Sequence, residues 1–374
     1  MDADDLLLRV STCTYNKSAA TGSGNSYTKS NPREIAGWTG VALYRGIERC
    51  PSGFEIEFTE PSGSVAEMIV QPGDFCEVFL GSDKVLTGYV DRYMPSYSQG
   101  QHTVAISGRS KCQDLIDCAS FPGGEPYRQV TLQSLAQTLC QPYGITVSTD
   151  NGVDPGVVYP IIVVMEGEAS FEVLERLSRN NGVLLYDDVD GNLVISAIGT
   201  KQASSGFEEG VNVLSAAAMY SMDGRFSHYG AFLNSLNIYA DEGNGAFMRG
   251  VVRDPGVPRF RWRAIVSEVQ VGGTQLAVKR MEWEATRRLG RSFQVRLRTD
   301  SWRDSSGALY APNTLAAIDL PGLKLQPKVW LISDVVYRRD SRGTTCDLTI
   351  MPPEAFDVMP DLIYAAPPDI NRVN

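Results

Sequence analysis

Apolar and polar residues alternate over short runs along much of the chain, which is the period of a β-strand that buries one face. Such runs occur at 40–47, 53–59 and 75–80, and turns such as Pro72-Gly73-Asp74 separate them. Short strands with glycine and proline between them are typical of small barrels. The pattern therefore predicts a β-barrel that ends near residue 107, with a flexible hairpin tip or early loop at 21–27.

One strand pattern occurs twice. It occupies 87–93 in the first copy and 331–337 near the C-terminus, and each copy ends in a tyrosine. A polar turn and an alternating return strand follow both copies, which indicates a β-hairpin. Two similar modules in one chain place quasi-equivalent surfaces in one ring when the chain oligomerises. We therefore predict that Tyr93 and Tyr337 occupy matching positions of two similar barrels.

Between the two copies the apolar spacing becomes that of helices. Leucines and an alanine share one face over 131–141, with Thr131 as the N-cap and Pro142-Tyr143-Gly144 as the stop. A further helix from about Ala169 ends at Asn181-Gly182, and a hairpin with an Asp-Gly turn follows it. These elements predict a compact α/β module.

The predicted fold class is α+β and multi-domain, with two similar small β-barrels, an intervening α/β module and an α/β insertion in the second barrel. An insertion of this kind costs little when it extends a loop. The proline-rich tail is expected to pack on a neighbour or stay extended. The expected boundaries are 1–109 for the first barrel, 110–205 for the α/β module, 206–240 with 292–352 for the second barrel, 241–291 for the insertion with a helix at 274–289, and 353–374 for the tail; 203–212 is expected to be a linker.

Composition narrows the class of protein. The 374 residues carry a net charge of −10, and 43% of them are hydrophobic. A chain of this length is expected to form about two to four domains. The negative charge argues against a general nucleic-acid binder, which needs a basic face. Basic residues cluster at 249–263 and 279–298; we interpret them as a solvated or salt-bridged surface, with a nucleic-acid site as the alternative.

Cysteine usage and the N-terminus indicate the compartment. Seven scattered cysteines without a CxxC pair indicate reduced thiols, not a disulfide framework or a zinc site. The N-terminus is acidic, whereas a signal peptide begins with a positive segment. No apolar run is long enough to span a membrane. We therefore expect a protein that is made and folded in the cytosol.

Catalytic and metal-binding patterns are weak throughout the sequence. Neither His102 nor His228 lies beside a nucleophile pattern, although a triad can also assemble in space. Helix capping explains Glu166 and Glu168 better than a glycosidase pair does, and a calcium loop beginning at Asp188 lacks its glycine. The five tryptophans are spread over several modules, which favours core packing and subunit contact. We predict no catalytic residues, no metal site and no cofactor.

The junction between the first barrel and the α/β module contains the candidate structural residues. Arg109, Ser110, Asp114 and Asp117 follow directly on a predicted strand and enter a short helix. Charged side chains that flank such a junction form orienting contacts between modules. We predict that Arg109 and Asp114 form a pair of this kind.

The run from Ser107 to Cys118 resembles the junction after the first barrel in the baseplate hub proteins of Mu-like contractile-tailed bacteriophages, the tail protein P family. Each further match is short, but their order and spacing together are fairly specific. The resemblance spans nearly the whole chain. The further matches lie at 37–38, 45–48, 72–74, 87–89, 167–169, 182–185, 290–292, 331–335 and 351–356.

The resemblance implies a structural protein of the virion tail baseplate, assembled in the bacterial host cytoplasm. In that family three copies form a ring, and two barrels per subunit give it pseudo-sixfold symmetry. Such a homotrimer joins the sixfold tail tube protein to the threefold central spike protein, and tape-measure and baseplate wedge proteins are further candidate partners. Genomic DNA only passes through the lumen, and no membrane binding of its own is implied.

Three other functions stay open at this point. A cell-wall-degrading tail enzyme requires a cleft with paired carboxylates or a metal. A carbohydrate-binding module requires clustered exposed aromatic residues. A spike component of a type VI secretion system or of a phage-tail-like bacteriocin would share the fold and differ in its genomic setting.

Overall fold

Strands dominate the computed structural model of the protein. The predicted loop at 21–27 lies outside the described residues except for Tyr27, which begins a strand. The described residues are 5–15, 27–59, 68–99, 101–120, 126–150, 152–153, 158–232, 248–266, 273–356 and 371–373.

The elements are numbered along the chain. The first eleven strands are β1 (Leu6–Tyr15), β2 (Tyr27–Ile35), β3 (Gly40–Gly46), β4 (Arg49–Thr59), β5 (Phe75–Leu80), β6 (Asp83–Ser98), β7 (Gln101–Ser110), β8 (Tyr127–Val130), β9 (Val147–Asp150), β10 (Tyr159–Ile162) and β11 (Leu184–Asp187). The other strands are β12 (Leu193–Ser196), β13 (Phe207–Glu208), β14 (Val213–Tyr220), β15 (His228–Phe232), β16 (Met248–Arg253), β17 (Trp262–Val266), β18 (Phe293–Thr299), β19 (Thr314–Asp319), β20 (Lys328–Asp340), β21 (Gly343–Met351) and β22 (Asn371–Val373). The helices are α1 (Gln113–Asp117), α2 (Leu132–Cys140), α3 (Ser170–Asn181) and α4 (Gly273–Arg291).

One large sheet joins the two ends of the chain. Its strands run in the order β14, β18, β21, β20, β3, β4, β7, β6, β5, β1 and β2, and β19 with β13 adds to one side of β20. The fold is mostly β and multi-sheet, which agrees only in part with the predicted α+β class. The two small barrels expected from the sequence are not found closed among the described strands: both halves lie in a single sheet, and the pairing of β20 with β3 joins them.

A single hydrophobic core underlies both halves of this sheet. Leu8 and Ile56 from the first half and Val335 and Ile350 from the second half are completely buried in it. Alternate residues of β20 and β21 point into this core, as the period of two predicts. Burial against a shared core therefore holds the two repeated hairpins in one rigid body.

The predicted α/β module lies between the two halves in sequence. Thr131 caps α2 through its side chain, 3.2 Å from the backbone nitrogen of Ser134, and α3 ends at Gly182 in the left-handed conformation. Both helices pack apolar faces on a core that also contains β12. The two helices predicted here are confirmed to within a few residues.

The insertion differs from the prediction in three respects. Strand β15, expected in the second barrel, pairs with β16 and β17 in a separate four-stranded sheet. Residues 371–373 of the tail form β22 on β16 of the same chain. Helix α4 continues past the predicted stop at Gly290 to Arg291, and the absence of a side chain at Gly290 lets the helix pack closely on Ala355. In addition, Phe207 of the expected linker is buried in the main core and belongs to β13.

Candidate assembly interface

Arg109 holds the start of the α/β module against the main sheet. Its Nε lies 2.6 Å from a carboxylate oxygen of Asp91 on β6, and its NH2 lies 2.6 Å from Asp117 at the end of α1. Two carboxylates raise the pKa of this guanidinium above its ordinary value. The role of Arg109 and Asp117 at the junction stays a prediction; the ion-pair partners of Arg109 are Asp91 and Asp117, and not Asp114 as the sequence suggested.

Asp114 has a different environment. Burial raises the pKa of its carboxyl, the negative charge of Asp117 acts in the same direction, and Arg109 opposes both. The charged form of Asp114 is therefore disfavoured where the sequence suggested a stabilising ion pair. Its place at the first turn of α1, beside the Arg109 pair, is the reason that sequence spacing alone misassigns it.

A second contact joins the module to the sheet through Asp187. Its buried carboxylate accepts hydrogen bonds from the backbone nitrogen of Ser52 at 3.0 Å and from the Ser52 hydroxyl at 2.9 Å. Ser110 is completely buried and its hydroxyl forms no hydrogen bond with the described residues, but it lies near enough to Asp187 to act to lower the pKa of that carboxyl, which burial raises overall. The predicted junction residue Ser110 therefore faces a carboxylate that no local sequence pattern indicates.

The repeated hairpins carry a β-bulge at a similar place. Asp91 is the extra residue of β6 opposite β7, and Ser333 is the extra residue of β20 opposite β21. Aligned on the bulges, Val90 corresponds to Ile332. The equivalence of Tyr93 with Tyr337 stays a prediction, and the bulges give a register that differs from it by two residues. Tyr337 is completely buried, whereas Tyr93 is half-buried.

The repeat extends beyond the hairpins to whole sets of strands. In the first half the neighbours run β3, β4, β7, β6, β5 and β1; in the second half they run β14, β18, β21, β20, β19 and β13. All corresponding pairs are antiparallel except the last, since β13 and β19 run parallel whereas β1 and β5 do not. The chain therefore contains two units of similar strand order, the β3 unit and the β14 unit.

The two units are joined inside the chain by one strand pair. The first part of β20 pairs with β19, and beyond the bulge 334–339 pair with β3 instead. In the β3 unit, β6 pairs with β5 only as far as Tyr89. No described strand lies on that side of β6 beyond Val90, and no described strand covers the outer side of β14.

Apolar side chains are exposed on these two open strands. Met94 and Tyr97 on β6 are 44% and 90% exposed, and Met219 and Tyr220 on β14 are 48% and 52% exposed. Open strand edges with large apolar residues mark sites of pairing with another chain. Sequence reasoning identified the β6 hairpin but not which strand edges lie open, since that depends on pairing between strands far apart in the chain.

The weak catalytic candidates lie apart from one another. His102 lies on β7 of the main sheet and His228 on β15 of the small sheet. Glu168 pairs with Arg176 at 2.7 Å and accepts from the backbone nitrogen of Met165, so it stabilises the turn before α3 and does not cap the helix. The carboxylate of Asp188 accepts from two backbone nitrogens of its own hairpin turn, as the turn interpretation predicts.

Metal and membrane features are equally sparse. In the described part of the chain no group of three or more potential ligands is placed to hold a metal ion. None of the described helices has the length and apolar character needed to cross a membrane. All seven cysteines are free thiols, and burial raises the pKa of Cys76 and Cys140.

Comparison with known proteins agrees with this picture over most of the chain. Three family models match consecutive stretches: the N-terminal domain of the Mu phage baseplate assembly protein GpP-like family (29–110), the second domain of the baseplate hub protein gp44-like family (112–197) and the fourth domain of Mu phage baseplate assembly protein GpP (273–359). Baseplate hub protein gp44 of Escherichia phage Mu is 28% identical over 344 residues, which is 88% of each chain.

Solved structures extend the likeness to three dimensions. The 43 kDa tail protein of prophage MuSo2 from Shewanella oneidensis matches with a TM-score of 0.77 and 28% identity, over 95% of this chain and 99% of that one. A component of the E. coli type VI secretion system matches in fold, with a TM-score of 0.56 and 13% identity over 87% of this chain and 77% of that one. The chain belongs to the baseplate hub proteins of Mu-like bacteriophages and is a structural protein of the phage tail.

Proposed function

We propose that three copies of this hub protein form a ring with pseudo-sixfold symmetry in the tail baseplate of the virion. The ring adapts the sixfold tail tube to the threefold central spike. Each copy contributes its β3 unit and its β14 unit, so that three copies present six similar units to the tube. The adapter is a rigid scaffold and not an enzyme.

The observation that carries the proposal is the strand pair that joins the two units inside one chain. There the late part of β20 pairs with β3, the first strand of the next unit. The counterpart of β20 in the other unit is β6, whose late part lies open, and the counterpart of β3 is β14, which is also open. The same junction formed between chains would pair β6 of one copy with β14 of the next.

The strand equivalences fix a register for this intermolecular pair. Inside the chain Val336 pairs with Tyr44. The bulges match Val336 with Met94, and the pairing of β3 with β4 and of β14 with β18 matches Tyr44 with Met219. The proposed antiparallel pair therefore sets Met94 of one copy opposite Met219 of the next, which would bury both exposed methionines.

The symmetry of this contact determines whether successive copies form a closed ring. The β6 and β14 edges are different surfaces, so the contact is heterologous and gives a closed ring only when the rotation per copy divides a full turn. Six equal units per turn correspond to three copies. The threefold symmetry of the spike and the family resemblance support that number.

Further proposals concern the modules and the partners. The boundaries 1–109, 110–205, 206–240 with 292–352, 241–291 and 353–374 are retained, with 228–232 moved to the insertion because β15 pairs there. The direct partners are a second and third copy, the spike and the tail tube, followed by tape-measure and wedge proteins. The net charge of −10 suits a lumen through which DNA passes without binding, and assembly takes place in the host cytoplasm.

A role as a spike component of a type VI secretion system is the second candidate. The fold likeness to a component of such a system favours it. The two candidates differ in partner, because a phage hub binds a phage tail tube. Co-expression with the tube and spike proteins from the same genome, followed by sedimentation of complexes, distinguishes them.

Solution mass tests the proposed ring. Multi-angle light scattering at micromolar concentration should give three times the chain mass of 40.9 kDa for the hub alone, or that mass plus the mass of the bound spike after the spike is added. A monomer that persists in the presence of spike protein contradicts the ring.

Peptidoglycan zymography tests the structural role separately. Clearing of the cell wall that Glu168→Gln abolishes would contradict that role.

A further inference from the structure

A cleft outside the sheet edges separates helix α3 of the α/β module from helix α4 of the insertion. Its volume is about 310 Å³, and Ile47 and Glu48, which lie between β3 and β4, also line it. Ile47 and Leu184 are buried apolar residues of its lining, together with Phe171. The cleft therefore has an apolar floor and is large enough for a small ligand.

The walls of the cleft carry unbalanced positive charge. Five arginines and three glutamates line it. Glu48 forms ion pairs with both Arg287 and Arg291, and Glu284 likewise pairs with both Arg280 and Arg288. Two carboxylates therefore serve four guanidiniums, and the cleft has an excess of two positive charges.

Burial makes this excess of positive charge energetically unfavourable. Only 23% of the Arg287 side chain is exposed. Desolvation lowers the pKa of Arg287, and the nearby charge of Arg291 lowers it further. Like charges held together in a partly dry cleft attract a compensating anion.

Trp283 supplies an independent sign of a missing acceptor. The side chain is 94% buried, since its relative exposure is 6%, and it lines the cleft between the guanidiniums of Arg280 and Arg287, whose central carbons lie 4.1 and 4.9 Å from the ring centroid. Its indole N–H donates to no acceptor among the described residues. Buried donors of this kind are nearly always satisfied, and we infer that the acceptor belongs in the cleft that the indole ring lines.

We propose that the cleft binds one small oxyanion, a carboxylate or phosphate group, between the arginine side chains and the indole N–H of Trp283. Arginine presents a planar fork that matches both kinds of oxyanion. The indole N–H adds a donor for one oxyanion oxygen, and the apolar side chains of Ile47 and Leu184 line the same cleft. The proposal does not depend on the ring, because all lining residues belong to one chain.

Titration calorimetry of the full-length protein tests this site. The probes are inorganic pyrophosphate and, separately, a capped triglutamate peptide, each in low-salt buffer against a sodium chloride blank of equal ionic strength. We expect saturable binding of one probe molecule per chain. Binding of pyrophosphate but not of the peptide identifies a free phosphate compound as the ligand. Binding of the peptide but not of pyrophosphate identifies an acidic protein side chain as the ligand. Either result supports the site.

Substitutions locate the binding. Trp283→Phe removes the indole donor and Arg280→Gln removes one cation, and each should weaken binding about tenfold, the worth of one charge-assisted hydrogen bond. Arg342→Gln is the matched control, because it removes the same charge from a side chain that is 83% exposed on a hairpin turn. Melting temperatures establish whether the variants fold. If Trp283→Phe does not fold, the affinity of Arg280→Gln alone tests the proposal.

Two results overturn the proposal. One is the absence of saturable binding for both anions. The other is an equal loss in Arg342→Gln and Arg280→Gln, which would mean that the anions respond only to net charge.

Discussion

Arg109 shows how much a local sequence pattern reveals about a single residue. Its position after a strand and before an acidic helix indicated a charged contact, and Asp117 provides it eight residues away. The second partner, Asp91, lies across a β-pair, and the Ser52–Asp187 contact spans 135 residues. Contacts of that range depend on the register of the whole sheet, which spacing along the chain does not contain.

Arg109→Gln tests the junction at this scale. Both ion pairs are partly exposed, so solvent screening limits their worth to about 1 kcal/mol in total. We expect the free energy of unfolding in urea to fall by that amount without a change in the slope with denaturant. A loss several times larger, or none at all, would show that the junction is held differently.

Asp114→Asn should act in the opposite direction. The pKa of Asp114 is raised in the folded state, so the folded protein binds a proton more tightly than the unfolded chain, and stability falls as the pH rises through the interval between the two pKa values. Removing the charge should raise the free energy of unfolding at pH 7, with no gain below about pH 4. Asp117→Asn is the control, since it removes an Arg109 ion pair and should destabilise at pH 7.

At the scale of elements, the sequence predicts the helices whose ends are marked by capping residues. Helices α2 and α3 begin and end at caps that are visible as Thr131 and Gly182. Strands β15 and β22 carry no such signal, and the sheet they join is set by partners far away in sequence. The end of α4 was misjudged because Gly290 normally stops a helix, whereas here it permits contact with Ala355.

Gly290→Ala tests that explanation. Alanine is ordinarily favoured over glycine inside a helix by about 1 kcal/mol, but a β-carbon at Gly290 would lie 2.1 Å from the backbone nitrogen of Ala355. We expect a lower melting temperature because α4 must move. Gly224→Ala is the control, since the nearest atom to its β-carbon is a side-chain nitrogen of Arg288 at 3.8 Å. Equal stability of the two variants would contradict the packing explanation.

At the scale of the whole molecule, two similar units share one sheet and one core. The duplicated hairpin was visible in the sequence because turns and alternation repeat. The merging of the units was not visible, since it depends on β20 changing its neighbour from β19 to β3 at Ser333. That change of neighbour defines the contact that one copy is proposed to repeat with the next.

Disulfide trapping of that contact is the most direct test. Met94→Cys and Met219→Cys are combined in one chain in which the partly exposed Cys13, Cys50 and Cys118 are replaced by serine, and the protein is oxidised mildly under conditions where the ring forms. The two cysteines face each other in the proposed register. Denaturing gels without reductant should show covalent species that end at the trimer, because a closed ring of three has no free edge left. Either single-cysteine variant should give no such series, and a ladder that continues beyond three copies, or no cross-link in an assembled hub, would contradict the proposed ring.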